Sequence, residues 1–296
     1  MNLCAETDPT AAPAPGEEKT TEAKQPTFAI LEYQVEGNTV LPVRAVEQAV
    51  YPHLGAGRTI AGVEQARKSL EQAYQKAGYS TVFVDIPEQD VVNGVVRLRV
   101  TEGRVGRVRV TGSRYYSLGR IRSQVPALAP GTVPYLPEVQ EQMSAANSAS
   151  ADRRITPVFR AGRTPGTVDV DLKVRDQPPW HASLEVNNRY SANTTHTRAS
   201  GELRYDNLWQ REHSLSLQYQ TAPENTDEVR VVSATYLFRS DRSNQLTALY
   251  AVRSRSNVAA IGDITVIGAG DILGARRIIP LPPGKQYFHS LVLGAD

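Results

Sequence analysis

Residues 163–191 read RTPGTVDVDLKVRDQPPWHASLEVNNRYS, and the chain changes character within this stretch. Before Asp176 lies a short β-branched strand, VDVDLKV, in a region that also carries helical patterns. After Pro179, apolar and polar residues alternate in successive segments. Alternation with a period of two predicts half-buried β-strands. We therefore expect an α+β region before this boundary and an all-β region after it.

Two copies of one small unit precede the boundary. Val35-x-Gly37-Asn38 returns as Val110-x-Gly112-Ser113, and the strand VRLRV at 96–100 returns as VDLKV at 170–174. Anchors that recur about 75 residues apart indicate a tandem duplication. Each copy is predicted to have the order β-α-α-β-β. In the first copy the predicted elements are a strand over 28–37, helices over 43–54 and 60–77, and strands over 80–86 and 94–100.

The all-β region is predicted to contain six strands of about nine to eleven residues, which is the length of a tilted strand that crosses a bilayer. They are His181–Ser191, Thr197–Tyr205, Ser214–Gln220, Val229–Arg239, Gln245–Arg253 and Gln286–Ala295. The predicted domains are a disordered lead over 1–26, two α+β modules over 27–103 and 104–178, and the strands over 179–296. Six strands cannot close a membrane barrel, so we expect the chain to be the front part of a longer protein.

The connections between these strands differ in length. The longest predicted loop, Arg255–Lys285, falls on the side away from the modules, as long loops do in outer-membrane barrels. It contains the pairs Gly262-Asp263 and Gly270-Asp271, which do not have the spacing of an EF-hand. We interpret them as solvated loop residues rather than calcium ligands.

Composition excludes several functional classes. The 296 residues include 33 Lys+Arg and 31 Asp+Glu, and a net charge of +2 does not favour nucleic acid as a partner. The lone Cys4 and five separated histidines show no metal-ligand or catalytic spacing. We expect neither an enzyme nor a cofactor or metal site.

Two β-α-α-β-β modules followed by amphipathic strands resemble the two-partner-secretion transporters of the Omp85 superfamily. Residues 163–174 are similar to the end of the second POTRA domain in that family, and Glu185–Tyr190 to its first barrel strand. Arg204–Leu208 and His213–Tyr219 resemble its second and third strands. The turn between these two strands, Trp209–Glu212, lacks the glycines usual there.

The resemblance implies two tandem POTRA domains and the first strands of a transmembrane antiparallel β-barrel. It implies an outer-membrane protein with periplasmic POTRA domains, which captures an unfolded exoprotein of the haemolysin or filamentous-adhesin type and translocates it to the cell surface. Two alternatives stay open at this point: a factor that assembles other outer-membrane barrels, and a soluble or surface adhesin with a β-sandwich.

An unpaired strand edge is the natural site for an extended client. We predict such an edge over Tyr79–Ile86, next to a cleft beside the helix Val63–Ala77. The candidate client-binding residues are Val63, Leu70, Tyr74, Tyr79, Val82, Phe83, Val84 and Ile86. The alternative is that these apolar residues form the core of the module, and the two interpretations are compatible because alternate strand residues face opposite sides.

The polar faces of the first two barrel strands are predicted to face a water-filled lumen, with lipid against the apolar faces. The candidate lumen residues are Glu185, Arg189, Arg198, Glu202 and Arg204. In a soluble sandwich the same residues would form internal salt bridges instead.

Overall fold

A computed structural model describes residues 27–190, 194–240, 245–261, 264–281, 287 and 289–296. The predicted lead over 1–26 therefore lies outside the described residues. The described chain divides into two compact units. One contains residues up to Glu36, 40–73 and 84–99, and the other contains 37–39, 74–83 and 100–296.

The first α+β module contains the predicted elements in the predicted order, with an additional short strand between the two helices. Its elements are β1 (Phe28–Ile30), β2 (Glu32–Glu36), α1 (Val43–Val50), β3 (Gly55–Arg58), α2 (Ile60–Lys76), β4 (Val82–Asp85) and β5 (Val95–Glu102). One sheet has the strand order β2-β5-β4, with β2 parallel to β5. The strand predicted over 28–37 is broken at Leu31, whose N–H bonds to Gly94 O at 2.8 Å. As a result β1 pairs with β3 in a separate two-stranded sheet that the sequence did not predict.

The second module repeats this plan. Its elements are β6 (Arg104–Thr111), α3 (Leu118–Ser123), α4 (Leu136–Ser148), β7 (Arg153–Ala161) and β8 (Thr167–Asp176). The sheet order is β6-β8-β7, with β6 parallel to β8. Gly37 and Gly112 have φ of +87° and +86°, and a Cβ on either would collide with a carbonyl oxygen, of Val100 or Val174 respectively. The predicted repeat is thus confirmed, and it includes an equivalent glycine with the same backbone conformation in each module.

Each module has its own apolar core, which forms because each helix turns one apolar face to its sheet. In the first unit the most buried side chains are Ile30, Ala66, Leu70, Val84, Val96 and Leu98. The second core is centred on Ile121, Leu128, Val139, Ile155, Val170 and Leu172. Full burial of an aliphatic side chain of this size contributes roughly 1.5–3 kcal/mol. None of the helices in the described ranges combines the length and apolarity that a membrane span requires.

The remaining strands form one antiparallel sheet of seven strands, arranged in chain order. They are β9 (Trp180–Asn187), β10 (Arg198–Leu208), β11 (His213–Thr221), β12 (Val229–Arg239), β13 (Leu246–Ile261), β14 (Ile264–Pro280) and β15 (Ser290–Ala295). A sequential antiparallel sheet after two α+β modules confirms the predicted fold class.

The long loop predicted over 255–285 is wrong, and with it the count of six strands. Most of that range belongs to β13 and β14, which pair from Leu246↔Ile278 to Ile261↔Ile264. The hairpin has an irregularity, a register shift between Arg255 and Val258 of β13, opposite Gly268 of β14, which has φ +99°. Two residues of one strand opposite a single residue of its partner form a β-bulge.

The two Gly-Asp pairs also differ from the prediction. Gly262-Asp263 lies outside the described residues. Gly270-Asp271 lies within β14, and both carboxylate oxygens of Asp271 accept hydrogen bonds from Arg253 of β13, at 2.7 and 3.0 Å. Asp271 is therefore part of a cross-strand ion pair and not a solvated loop residue.

The seven-stranded sheet has one strongly apolar, exposed face. Leu184 is 92% exposed, and Leu203, Leu217, Leu249 and Leu273 on the neighbouring strands are exposed as well. Directly paired residues lie on the same face of a sheet. Leu203 pairs with Leu217, so these side chains form a continuous stripe. An apolar stripe of this kind is unfavourable in water and requires contact with another apolar surface or with lipid.

Candidate functional site

The strand predicted to bind clients lies at an edge. Among the described strands, β4 is the outer member of the order β2-β5-β4. Its side chains alternate: Val82 and Val84 are buried, whereas Phe83 is 56% exposed. Tyr79 and Ile86, which flank the strand, are half-buried. One aromatic side chain of this edge strand is thus presented to solvent, and the Arg67 guanidinium donates a hydrogen bond to Val84 O at 3.2 Å.

The other predicted binding residues lie in the core. Val63, Leu70 and Tyr74 of α2 are buried, as are Val82 and Val84. The Tyr74 hydroxyl donates a hydrogen bond to Asn38 Oδ1 at 2.7 Å. Burial and the nearby Glu102 carboxylate raise the pKa of Tyr74 well above its usual value. These five side chains have the positions expected from the core alternative, and none of them is open to a client in this conformation.

A second edge strand occurs at the equivalent place in the repeat. β7 is the outer strand in the order β6-β8-β7. Phe159 of β7 is 38% exposed and lies 76 residues after Phe83, at the equivalent repeat position. Phe159 was not among the binding residues predicted from the sequence. The repeat itself was the signal, because an exposed aromatic on one edge predicts its counterpart on the other.

Both phenylalanines line one cleft within the second compact unit. The cleft has a volume of about 480 Å³, and its lining includes Phe83, Thr101, Phe159, Ala161, Pro165 and Val168. Main-chain groups at a strand edge bind an extended peptide by hydrogen bonds, and apolar pockets take alternate side chains. The cleft therefore has the chemistry needed to hold an unfolded segment.

Four of the five predicted lumen residues share one face of the large sheet. Glu185 pairs with Ser200, and Arg198, Glu202 and Arg204 follow on the same face of β10. Arg198 is buried and donates hydrogen bonds to Thr194 and Thr195. This face lies opposite the apolar stripe. Arg189 differs, because β9 ends at Asn187 and Arg189 follows it outside the strand.

The fold also assembles an ion-pair cluster from residues far apart in sequence. His181 Nε2 lies 2.9 Å from Asp152 Oδ2 and 3.3 Å from Asp206 Oδ2. Within the described ranges, this is the one group of three side chains with metal-ligating atoms close enough to share an ion. Arg204 Nε already bonds to Asp206 Oδ2 at 3.0 Å, and Gln177 Nε2 to Asp152 Oδ1 at 2.8 Å. The cluster is thus best described as an ion-pair network that joins the second module to β9 and β10.

Two family models match the chain. Residues 28–103 match the ShlB-type POTRA domain, and residues 166–265 match the haemolysin secretion/activation protein ShlB/FhaC/HecB. The two matches correspond to the first module and to the passage from β8 through β13 to the start of β14. The matched family is a family of secretion proteins and not of enzymes.

Curated relatives are outer-membrane transporters. The outer membrane transporter CdiB-2 of Burkholderia pseudomallei is 32% identical over 145 residues, or 48% of this chain and 23% of that protein. The outer membrane transporter CdiB of Escherichia coli strain 536 is 26% identical over 201 residues, or 67% of this chain and 33% of that protein. The matches thus span about a quarter to a third of the length of these relatives.

Solved structures share the fold. CdiB from Escherichia coli superposes with a TM-score of 0.65 at 19% identity, covering 94% of this chain and 52% of that one. CdiB from Acinetobacter baumannii gives a TM-score of 0.50 at 12% identity, covering 98% and 57% respectively. The similarity extends over the modules and the seven-stranded sheet together.

Proposed function

We propose that the chain belongs to the ShlB/FhaC/HecB family of haemolysin secretion/activation proteins in the Omp85 superfamily, whose family model matches residues 166–265. In this proposal it works as an outer-membrane transporter of an unfolded exoprotein. Its POTRA domains, residues 27–103 and 104–178, capture the partner in the periplasm. The strands from β9 onward belong to the barrel through which the partner reaches the cell surface. The partner is a secreted protein of the haemolysin or filamentous-adhesin type.

The observation that carries the capture step is the cleft with two edge phenylalanines. An extended client pairs its main chain with β4 or β7 and places apolar side chains against Phe83 and Phe159. Main-chain pairing tolerates variation in the client sequence, whereas the apolar cleft selects segments with alternating apolar residues. This combination suits a partner that must be recognised before it folds.

The two faces of the large sheet support the transit step. Lipid covers the stripe that includes Leu203 and Leu217. The opposite face, with Glu185, Glu202 and Arg204, lines a wet lumen. A polar lining offers no apolar surface to which the side chains of an extended client could bind during transit. Folding of the client outside the cell gives the movement its direction.

The test replaces both edge phenylalanines in the full-length protein. Phe83→Ser with Phe159→Ser should lower secretion of the partner at least tenfold, while the amount of transporter in the outer membrane stays the same. Tyr51→Ser is the matched control, since Tyr51 is exposed to a similar extent but lies outside the cleft. Normal secretion by the double variant would contradict the capture step. A general loss of other outer-membrane proteins would indicate a barrel-assembly factor instead.

A further inference from the structure

The turn between β10 and β11 has an unfavourable backbone. Trp209, Gln210 and Glu212 have φ of +59°, +57° and +62°, so three of its four residues are left-handed although none is glycine. Glycine is the default residue in this conformation because a Cβ crowds the neighbouring carbonyl. Residues held in this region are retained when surrounding contacts over-determine them.

Glu212 makes a contact that glycine cannot make. Its side chain is 8% exposed and forms an ion pair at 2.6 Å with Arg153 of β7, which is 0% exposed. Gln124 Nε2 donates to both oxygens of Glu212 at 2.9 Å. Arg153 also donates to Ala146 O at 3.0 Å and lies over the Tyr116 ring. A fully buried guanidinium requires a counter-charge, and Glu212 supplies it.

Gln210 makes the second contact. Its Oε1 accepts hydrogen bonds from the Ser117 N–H at 2.9 Å and from Asn207 Nδ2 at 3.1 Å. Its Nε2 donates to Tyr115 O at 3.1 Å. The main chain of residues 115–117 in the second module is thus bonded to the turn by one amide side chain.

We propose that Gln210 and Glu212 are positioning residues that hold the second module against the base of the sheet. The turn keeps its left-handed backbone because these two side chains, which point into the second module, fix its orientation. Trp209 has the same backbone conformation but a side chain that is 73% exposed. This role rests on the proposed function, in which Gln210 and Glu212 direct the client-binding cleft toward the lumen.

The proposal predicts two effects of glycine at positions 210 and 212. It removes the backbone strain of the turn, and it weakens the attachment of the second module to the sheet. Nitroxide labels at Glu141 on α4 and Leu249 on β13, in a Cys4→Ser background of the full-length transporter, report the distance between the module and the sheet. Gln210→Gly with Glu212→Gly should at least double the width of the distance distribution and lower secretion about fivefold. Trp209→Gly, the control with the same φ, should leave both values unchanged.

Glu212→Gln provides a variant of nearly the same shape. The glutamine keeps one acceptor for Gln124 but removes the charge that faces Arg153. We therefore expect a distance distribution with a width between those of the parent and the double variant. A distribution as narrow as that of the parent, in both the double variant and Glu212→Gln, would overturn the proposal. The distance measurement does not depend on secretion. A parent protein that secretes nothing would therefore refute the proposed function without deciding the role of the turn.

Discussion

Gly37 and Gly112 show how much a single position contributes to this fold. Gly37 follows β2 and Gly112 follows β6, each with a positive φ, and neither leaves room for a Cβ beside the carbonyl of Val100 or Val174. The sequence repeat identified the pair, but not the reason for it. The close approach of the parallel neighbour, β5 in the first module and β8 in the second, is visible only when the sheet is formed.

These glycines give the first prediction. Gly112→Ala should destabilise the second module by more than the roughly 1–3 kcal/mol of a strained φ alone, because a steric clash is added. Gly131→Ala is the control, since Gly131 has φ +89° and no other atom lies within 4 Å of the place that its Cβ would take. Hydrogen exchange of β8 measures the loss. Equal protection in the two variants would contradict the clash.

His53 gives a prediction about pH. Burial and the adjacent Arg58 guanidinium lower the pKa of His53 below 6.5, and its Nε2 lies 2.9 Å from Ser69 Oγ. The folded protein therefore resists protonation more than the unfolded chain does. The resulting stability is present above pH 6.5 and declines as the pH falls below it. Urea unfolding measures the free energy of unfolding at pH 7.5 and at pH 5.5. The decrease between the two pH values should be smaller for His53→Gln than for the parent, and identical decreases would contradict a lowered pKa of His53.

At the scale of elements, the edge strands explain what sequence alone could and could not predict. The position of β4 at an edge was predicted from the order of the elements. The orientation of its side chains was not, because alternation shows that two faces differ and leaves open which of them the helices cover. Val82 and Val84 consequently proved to be buried, as did the three candidates on α2. Phe83 remained exposed, and the cleft that it lines with Phe159 depends on two modules folding together.

The fragment 27–178 provides the element-scale prediction. It should be a mixed α/β protein by circular dichroism and should bind the N-terminal segment of the exoprotein exported with it. Phe83→Ser with Phe159→Ser should weaken this binding about tenfold, which corresponds to about 1.4 kcal/mol. Calorimetry with the purified segment measures the affinity. An all-β spectrum, or equal affinity for the two forms, would count against the assignment of these edges.

The error over residues 255–285 has a physical cause of the same kind. No strand was predicted between Arg253 and Gln286, and the pairs Gly262-Asp263 and Gly270-Asp271 within that range have the local preferences of a loop. In a sheet, cross-strand pairing outweighs such preferences, and a bulge in β13 opposite Gly268 absorbs the irregularity. A window of ten residues cannot reveal a partner strand that lies beyond it.

At the scale of the whole molecule, the order of modules and strands was readable from the sequence, whereas the links between them were not. The repeat and the change of period at Pro179 predicted two α+β modules and an antiparallel sheet. The cluster around His181 joins residues that are up to 54 positions apart, from Asp152 to Asp206. The histidines therefore looked unrelated to any acidic group until the strands had been placed.

The two faces of the sheet give the whole-molecule prediction. Leu217 and Gln218 are neighbours in β11 with side chains on opposite faces. Leu217→Arg places a charge in the apolar stripe and should destabilise the membrane-inserted protein by about 2–4 kcal/mol, whereas Gln218→Arg should be tolerated. The amount of heat-modifiable protein in outer-membrane fractions measures assembly. Equal assembly of both variants would mean that the face of Leu217 does not contact lipid.

The hairpin of β13 and β14 reaches further than a bilayer requires. Arg253 and Asp271 form their ion pair on the same face as Leu249 and Leu273, so the apolar stripe ends at that pair. Beyond it, β13 continues to Ile261, eight residues that add about 27 Å of strand at 3.4 Å each. We expect the ion pair to mark the outer boundary of the membrane and the rest of the hairpin to project into the medium. Antibodies against residues 254–270 should therefore label intact cells, and failure to do so would place the boundary elsewhere. Immune recognition and phage adsorption would then act on this projection.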